Sequence, residues 1–430
     1  MFSSNYNYAS RFYSFCIVVL LRLKKALLKN ILVNPFFVYI YSFLGVLAVY
    51  SLDWSNLYPR LSLSTSLFFL VTFVISLIIG IWIHNQNLIV YSKIDSYRTI
   101  KVGTSLVILI LTIEIIYNRE IPLVKILAGQ EYDFRNFSFP LLPHLLGTLA
   151  PFLATISFHS FLSKRRKSLL LFCLLNTAPG ILLFHRSVVI IILLNCIFVF
   201  ILSGGLQNIK KLIILIILFI SIMYLFGIAG NVRTKSQIGD GKDFIVTMLM
   251  SGTEAKPEAY DSELAQNFYW FYLYAASPLA NFQNTINKSK KYDLNFYNIN
   301  QLLTQEICPD ILSKRINTLS GKEEFQSPLE RIVYFLTVGT IYADSFVYLG
   351  WFGPMLMYVF LSLIILAFIF LLRHNQYFVA SLATLSTMVF LSIFSNMVVY
   401  TPLSFQLLYP LIVPTVSSCL NFLKLQNRTL

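Results

Sequence analysis

The chain has 430 residues, of which 57% are hydrophobic and only 12% are charged, and its mean hydropathy is +0.70. This composition excludes a soluble domain, because about a quarter of the residues of such a domain are charged. A net charge of +14 is compatible with binding of nucleic acid, but the basic residues cluster in short loops between apolar runs, such as 164–167. That position is typical of membrane topology, and no nucleic-acid partner is expected.

Residues 1–34 precede the first long apolar run. Within them, the stretch 12–28 mixes apolar residues with Arg22, Lys24 and Lys25, which follow its apolar part. A cleaved signal peptide has the opposite order, with its basic residues first. We therefore predict a cytoplasmic interfacial segment that lies on the inner leaflet.

Ten apolar runs follow, each able to cross a hydrocarbon layer that requires about 20 helical residues. Backbone groups in lipid must bond within their own segment, so these spans are predicted to be helices. The predicted fold class is an all-α polytopic membrane protein. The predicted spans are 35–52, 64–83, 101–117, 141–161, 168–185, 187–203, 211–228, 351–372, 377–395 and 403–422.

The charges define an orientation for these spans. With the N-terminus inside, the inner segments hold 17 of the 33 Lys and Arg residues but a single acid, Asp95. Basic residues in short loops stay on the inner side, so both termini are predicted to lie inside. The long polar segment 229–350 then lies on the outer face, where we expect the function.

This topology predicts four regions and leaves one alternative open. The outer insertion contains an aromatic stretch, 268–274, interpreted as an interfacial helix because Tyr and Trp favour the membrane interface. If this stretch and 332–350 both crossed, the count would be twelve; Asp344 and the flanking charges favour ten. The regions are 1–34, the interfacial segment; 35–228, spans one to seven; 229–350, the outer insertion; and 351–430, spans eight to ten with a short tail.

No common catalytic motif occurs in the chain. It has no phosphate-binding loop, dinucleotide fingerprint, zinc-protease motif or nucleophile elbow. Its five cysteines are scattered, which indicates neither a disulfide framework nor a metal cluster. No cofactor and no metal are therefore predicted.

Four arginines near the predicted outer rim are candidates for binding a phosphorylated substrate, since a guanidinium donates two parallel hydrogen bonds to phosphate. Arg186 stands almost alone between two apolar runs, and its alternative role is snorkelling to lipid headgroups. Arg233 follows the seventh span, where a topology anchor is the alternative. For Arg135 and Arg331, a solvated loop charge is the simpler interpretation.

Two further residues are candidates for proton chemistry. His144 enters the fourth span and could orient a substrate or act as a base; the alternative is a histidine that is merely hydrogen-bonded. Asp344 precedes the eighth span and could accept a proton from a sugar hydroxyl. Glu114, near the end of the third span, could pair with a rim arginine. Glu254, Glu258, Asp261 and Glu263 are interpreted as a solvated face.

Several segments between 120 and 355 resemble the oligosaccharide repeat-unit polymerases, the Wzy-type O-antigen and capsule polymerases. One departure is Phe346, where the family often has Gly two residues after the Asp. The similarity lies in Ile121-Pro122-Leu123, Gly129, Tyr132-Asp133-Phe134, Pro143-His144, His185-Arg186-Ser187, Gly227 with Arg233, Ser277-Pro278-Leu279-Ala280-Asn281-Phe282, Tyr342-Ala343-Asp344 and Gly350-Trp351-Phe352-Gly353.

The resemblance implies an integral-membrane glycosyltransferase at the periplasmic face of a bacterial inner membrane. A growing glycan on undecaprenyl pyrophosphate would be the donor, and one repeat unit on the same lipid would be the acceptor. Arg186 and Arg233 would bind pyrophosphate, while His144, Arg135 and Asp344 would position or activate the acceptor. The implied partners are a flippase, a chain-length regulator and a ligase, and neither nucleotide nor metal would be needed.

Three other functions remain open. A flippase for the same lipid would need polar residues near the midplane and repeat symmetry, whereas here the ionisable residues crowd one rim. A glycan ligase shares the donor and its arginine chemistry, and only the 121–144 pattern favours the polymerase. A membrane acyltransferase would need a buried His with a polar partner, and no convincing set is present.

Overall fold

The computed structural model describes residues 30–128, 142–206, 252–260, 263–289, 295–319 and 328–414, with isolated positions between 211 and 224. Within these residues the chain is helical, with one isolated antiparallel bridge between Ser55 and Ala255. The helices are α1 Pro35–Tyr50, α2 Leu63–Asn85, α3 Tyr97–Asn118, α4 Pro122–Leu127, α5 Leu142–Lys164, α6 Lys167–Leu182, α7 Arg186–Leu202, α8 Pro257–Tyr260, α9 Glu263–Lys288, α10 Phe296–Leu302, α11 Asp310–Leu319, α12 Ala343–Leu349, α13 Phe352–Leu372, α14 Phe378–Leu391 and α15 Thr401–Ser404. A π-helical turn, Leu303–Ile307, follows α10.

Four of these helices, α2, α3, α5 and α13, are long and apolar enough to cross a membrane. The helices α1, α6, α7 and α14 are apolar but shorter. The all-α fold is confirmed for the described residues, and the apolar helices are consistent with a membrane protein. The count of ten spans and the orientation stay predictions.

Helix α2 shows why such a helix belongs in lipid. Its outward face is apolar, with Ile78 63% exposed, whereas Thr72 and Ser76 are buried. The buried hydroxyls bond across helices: Tyr39 donates to Thr72 Oγ1 at 3.0 Å, and Ser76 Oγ lies 2.7 Å from Tyr358 Oη. Small polar residues inside and large apolar residues outside are typical of membrane helices, because lipid solvates the apolar side chains.

Helix α9 lies in the segment that the sequence places in the outer insertion. It packs along α1, and Tyr269 and Tyr272 are each 1% exposed. Tyr272 stacks on Tyr58 at 5.3 Å and contacts Trp54. The rings of Tyr269 and Tyr272 therefore fill a protein core, and the position of the stretch 268–274 at the membrane interface stays a prediction.

The segment 332–350 differs from a long span. In the segment 332–350, only α12 is helical, and its seven residues are far fewer than the roughly 20 needed to cross. The twelve-span alternative therefore gains no support there. The predicted span 403–422 begins with α15 and a 3-10 turn, Phe405–Leu407, and its residues beyond 414 lie outside the described part.

Candidate functional site

A cavity of about 910 Å³ lies where three non-spanning segments meet beside the end of α14. One wall is the π-turn with α11, the second is the stretch that leads into α12, and the third is the connection between α14 and α15. The lining residues are Gln305, Glu306, Asp310, Ser313, Lys314, Asn317, Thr318, Leu329, Thr337, Val338, Gly339, Thr340, Ala343, Asp344, Ser395, Asn396, Val399 and Tyr400.

Hydrogen bonds between distant segments hold the first and third walls together. The amide of Asn396 donates to the Glu306 carbonyl oxygen at 2.7 Å and to its carboxylate oxygen Oε2 at 3.0 Å. The backbone N–H of Asp310 donates to the carbonyl oxygen of Val399 at 2.9 Å. These bonds fix the position of the π-turn, and with it the Glu306 side chain.

Helix α9 fixes the second wall. The Asn281 amide donates to the carbonyl oxygens of Leu336 and Val338, both at 2.8 Å, and its Oδ1 accepts from the N–H of Ile332. Asn281 is fully buried, so three backbone groups of the stretch depend on one side chain. The family-like segment 277–282 thus has a structural role at this wall.

Two glycines place Asp344 at the cavity. Gly350 has φ 57°, in the left-handed region, and ends α12. A Cβ at Gly353 would overlap the backbone carbonyl of Ser345, so α13 can approach α12 this closely only with glycine there. Phe346, the departure from the family pattern, is buried and packs against Trp351 at a centroid distance of 5.2 Å.

Three carboxyl groups share this cavity. Burial, and then the neighbouring charge of Asp344, raise the pKa of Glu306 to about 8. Burial also raises the pKa of Asp310 to about 6, against the opposing effect of Lys314 and of a hydrogen bond from the Thr401 N–H. Carboxyls that protonate near neutral pH are suited to proton transfer.

The group of carboxyls does not have the arrangement of a metal centre. Across the described residues, no set of three or more His, Cys, Asp or Glu side chains converges as metal ligands do. The Tyr348 hydroxyl lies within electrostatic range of both Glu306 and Asp344, and it is buried with no hydrogen-bond partner in the part of the chain that the structure describes.

The connection between α6 and α7 reaches the same cavity. Ser187 Oγ lies 2.7 Å from Tyr400 Oη, and Tyr400 lines the third wall. Arg186 is the exposed first residue of α7, with its guanidinium 4.4 Å from the centre of the Phe184 ring. Arg186 therefore lies next to Ser187, whose hydroxyl contacts a residue that lines the cavity.

His144 lies near α11. It is exposed in the first turn of α5, within electrostatic range of Lys314 and Arg315. His185, in the α6–α7 connection, is in turn within range of His144. The start of α5 and the α6–α7 connection therefore border the cavity beside α11, which carries the lining residue Lys314.

The predicted site residues fall into three groups. Asp344 lines the cavity, and Arg186 and His144 stand at its border. Arg331 is exposed and does not line the cavity. Arg135 and Arg233 lie outside the described residues.

Sequence reasoning missed Glu306, Asp310, Lys314, Asn396 and Tyr400. One signal was available for Glu306, which stands between Leu302, Leu303 and Ile307 in an otherwise polar segment. An acid among apolar neighbours indicates burial of a charge, and such a charge needs a partner. The partner itself, 90 residues away, has no local signal.

No protein-family model matches this chain, and neither does any curated protein or any solved structure.

Proposed function

We propose that this protein is an oligosaccharide repeat-unit polymerase. It transfers a growing glycan from undecaprenyl pyrophosphate onto a lipid-linked repeat unit, as in the synthesis of O-antigen or capsule. The observation that carries the proposal is the cavity in which Asp344 meets two further carboxyls, bordered by His144 and Arg186. The sequence resemblance independently points to three of these residues, Asp344, His144 and Arg186.

The proposed topology has ten spans, with both termini in the cytoplasm and the cavity at the periplasmic face of a bacterial inner membrane. Its support is the charge asymmetry of the loops together with the four long apolar helices. A cavity beside the ends of the helices suits a lipid-linked substrate, whose sugars stand at headgroup level while its chain stays in the bilayer.

The proposed reaction is a displacement at the anomeric carbon of the donor. The acceptor hydroxyl oxygen bonds to that carbon, and the bond from the carbon to the pyrophosphate oxygen breaks. Undecaprenyl pyrophosphate leaves with the electron pair, and the hydroxyl proton passes to a carboxylate of the cavity. The lipid already carries a good leaving group, so no nucleotide is consumed.

Each border residue has a role in that step. The Arg186 guanidinium, with its positive charge held over the Phe184 ring, binds the pyrophosphate and stabilises the charge that develops on it. Lys314 adds positive charge at the cavity wall. His144 orients the acceptor, and Asp344 activates it. Arg135 and Arg233 are proposed as further substrate ligands from the sequence resemblance alone.

The test uses the source strain with this gene deleted. Its surface glycan is separated on a gel after complementation with wild type, Arg186→Ala or Arg373→Ala. Arg373 is a matched control, because it also lies over an aromatic ring, that of Phe370, but at the opposite end of α13. We expect wild type and Arg373→Ala to restore the ladder, and Arg186→Ala to leave core plus one repeat unit.

Other outcomes identify the alternatives. Loss of even the single repeat unit in the deletion strain would indicate a flippase or a ligase. A ladder unchanged by the deletion would refute a role in polysaccharide synthesis. Equal rescue by Arg186→Ala and Arg373→Ala would reduce Arg186 to a membrane anchor.

A further inference from the structure

Two of the cavity's carboxyls differ in their access to water. Glu306 is 4% exposed, whereas Asp344 is partly exposed in the cavity wall. When two acids lie close together, they do not ionise independently, and the more buried one keeps the proton because desolvation disfavours its charge. The geometry therefore distinguishes the two acids.

We propose that Glu306 and Asp344 form a carboxyl pair that holds one proton, with Glu306 as the protonated partner and Asp344 as the base that accepts the proton of the acceptor hydroxyl. The inference rests on the proposed function and deepens it. Asp344 touches the substrate and is the catalytic residue. Glu306 acts through Asp344 and is a positioning residue.

The surroundings of Glu306 fit a neutral acid. Asn396 donates to its Oε2, which can accept this bond whether or not the other oxygen carries the proton. The Tyr348 hydroxyl, which is buried and has no hydrogen-bond partner among the described residues, stands within electrostatic range of both acids. It is a donor available to the pair when the proton leaves, since a phenol can donate to a carboxylate.

The other charged groups near the pair determine how it titrates. In the described residues, α12 presents Asp344 and Tyr348 to Glu306, and α11 presents Asp310. Lys314 opposes the charge of Asp310, and Tyr400 faces Asp310 from the third wall. The two acids Asp344 and Asp310 outnumber the one cation, Lys314. The net effect of these neighbours is therefore to favour the protonated form of Glu306.

One proton in the pair assists the step in two ways. The protonated Glu306 donates a hydrogen bond that orients Asp344 or the incoming hydroxyl, and it keeps a second negative charge away from the donor pyrophosphate. Asp344 then takes the hydroxyl proton as the new bond to the anomeric carbon forms and the bond to pyrophosphate breaks. Loss of the Glu306 proton removes the donor and adds a repelling charge.

The test is the pH profile of polymer formation by purified full-length protein. The substrate is the lipid-linked repeat unit extracted from the deletion strain. Wild type is compared with Glu306→Gln, which keeps a donor and an acceptor for Asn396 and Asp344, and with Asp53→Asn. Asp53 is an exposed acid paired with Lys256, remote in sequence from the cavity segments, and serves as the matched control.

Wild-type activity is expected to fall above about pH 8, to roughly one-tenth at pH 9, one unit above the pKa of Glu306. Glu306→Gln should be within about threefold of wild type at pH 7 and exceed it about tenfold at pH 9. Asp53→Asn should follow wild type. A Glu306→Gln protein that is folded but inactive at every pH, or one with the wild-type profile, would overturn the inference.

A second measurement does not depend on activity. Because the folded pKa of Glu306 lies above its unfolded value, the folded state holds the extra proton between about pH 4.5 and 8, and stability falls as pH rises through this window. The Tm of wild type should therefore fall by several degrees more than that of Glu306→Gln between pH 5 and 8. Equal Tm profiles would overturn the inference.

These readouts separate the two proposals. If wild type forms no polymer at any pH, the proposed function fails, while the Tm profiles still report on the proton. If Glu306→Gln does not fold, Asn396→Leu tests the same pair. Removing the donor that favours the Glu306 charge should move the alkaline limb of the activity profile to higher pH, and an unmoved limb would count against the pair.

Discussion

Helix α2 and the cavity segments bury polar groups in opposite ways. In α2, the buried groups are small hydroxyls such as Thr72 and Ser76, each satisfied by one bond across the bundle. In the cavity, the buried group is the carboxyl of Glu306, held by Asn396 and crowded by other acids. The first arrangement fixes the positions of helices relative to one another, whereas the second keeps a proton on the Glu306 carboxyl.

The difference shows in which region of this chain the burial of polar groups costs the most free energy. A neutral hydroxyl inside a bundle costs little once it is hydrogen-bonded. An acid beside other acids costs considerably more, and it persists where a structure holds it in place. We therefore expect substitutions in the bundle to change stability and substitutions in the cavity to change chemistry.

The largest effect should come from Gly353. This glycine is the joint at which α13 of the bundle packs against α12 beside the cavity. A Cβ there would overlap backbone of α12, which cannot move like a side chain, so Gly353→Ala should cost about 3 kcal/mol or more of unfolding free energy. The measurement is the yield and Tm of detergent-purified protein. Gly45→Ala is the control, since a Cβ at Gly45 meets no atom within 4 Å; equal losses in both variants would contradict the close contact.

Asp344→Asn should leave the fold intact and stop the chemistry. The amide has the size of the carboxyl but cannot take a proton, so polymer formation should fall by about 10²-fold or more. Initial rates with extracted lipid-linked repeat units measure this loss, and Tm checks the fold. Retention of more than about a third of the activity would remove Asp344 from the proposed mechanism.

The smallest effect is expected in the bundle, at Asn195. Its amide donates to Gln406 Oε1 at 3.1 Å and lies 3.2 Å from Thr155 Oγ1, so Asn195→Leu should cost about 1 kcal/mol. Activity at pH 7 should change less than twofold. Thr112→Ala is the control, because this exposed hydroxyl bonds only within its own helix. A large loss of activity with unchanged Tm would contradict the expectation that substitutions in the bundle change stability and not chemistry.

The joint at Gly353 also shows which structural features can be predicted from the sequence. The Gly350-x-x-Gly353 pattern is part of the sequence resemblance described above. The structure gives its physical reason, which is a left-handed φ at Gly350 and a close backbone contact at Gly353. Asp344, next to this joint, was predicted as a site residue and lines the cavity. A local sequence pattern can point to this joint because the residues involved lie within ten positions of one another.

The aromatic stretch shows the opposite case. Tyr269 and Tyr272 are residue types that suit interface anchors, but both are buried, and Tyr272 contacts the rings of Trp54 and Tyr58, more than 200 positions away. Amphipathic aromatic residues suit both environments, so composition cannot choose between them.

By itself, the sequence determined that this protein has helices for a membrane and that its charges lie unevenly between the loops, because hydropathy and charge are local properties summed along the chain. Tertiary structure alone decided which acids meet. Glu306, Asp344 and the amide of Asn396 come from three separate segments, and their shared cavity depends on how the helices pack. A proton shared between distant residues is a property of their distance in space, which no single segment encodes.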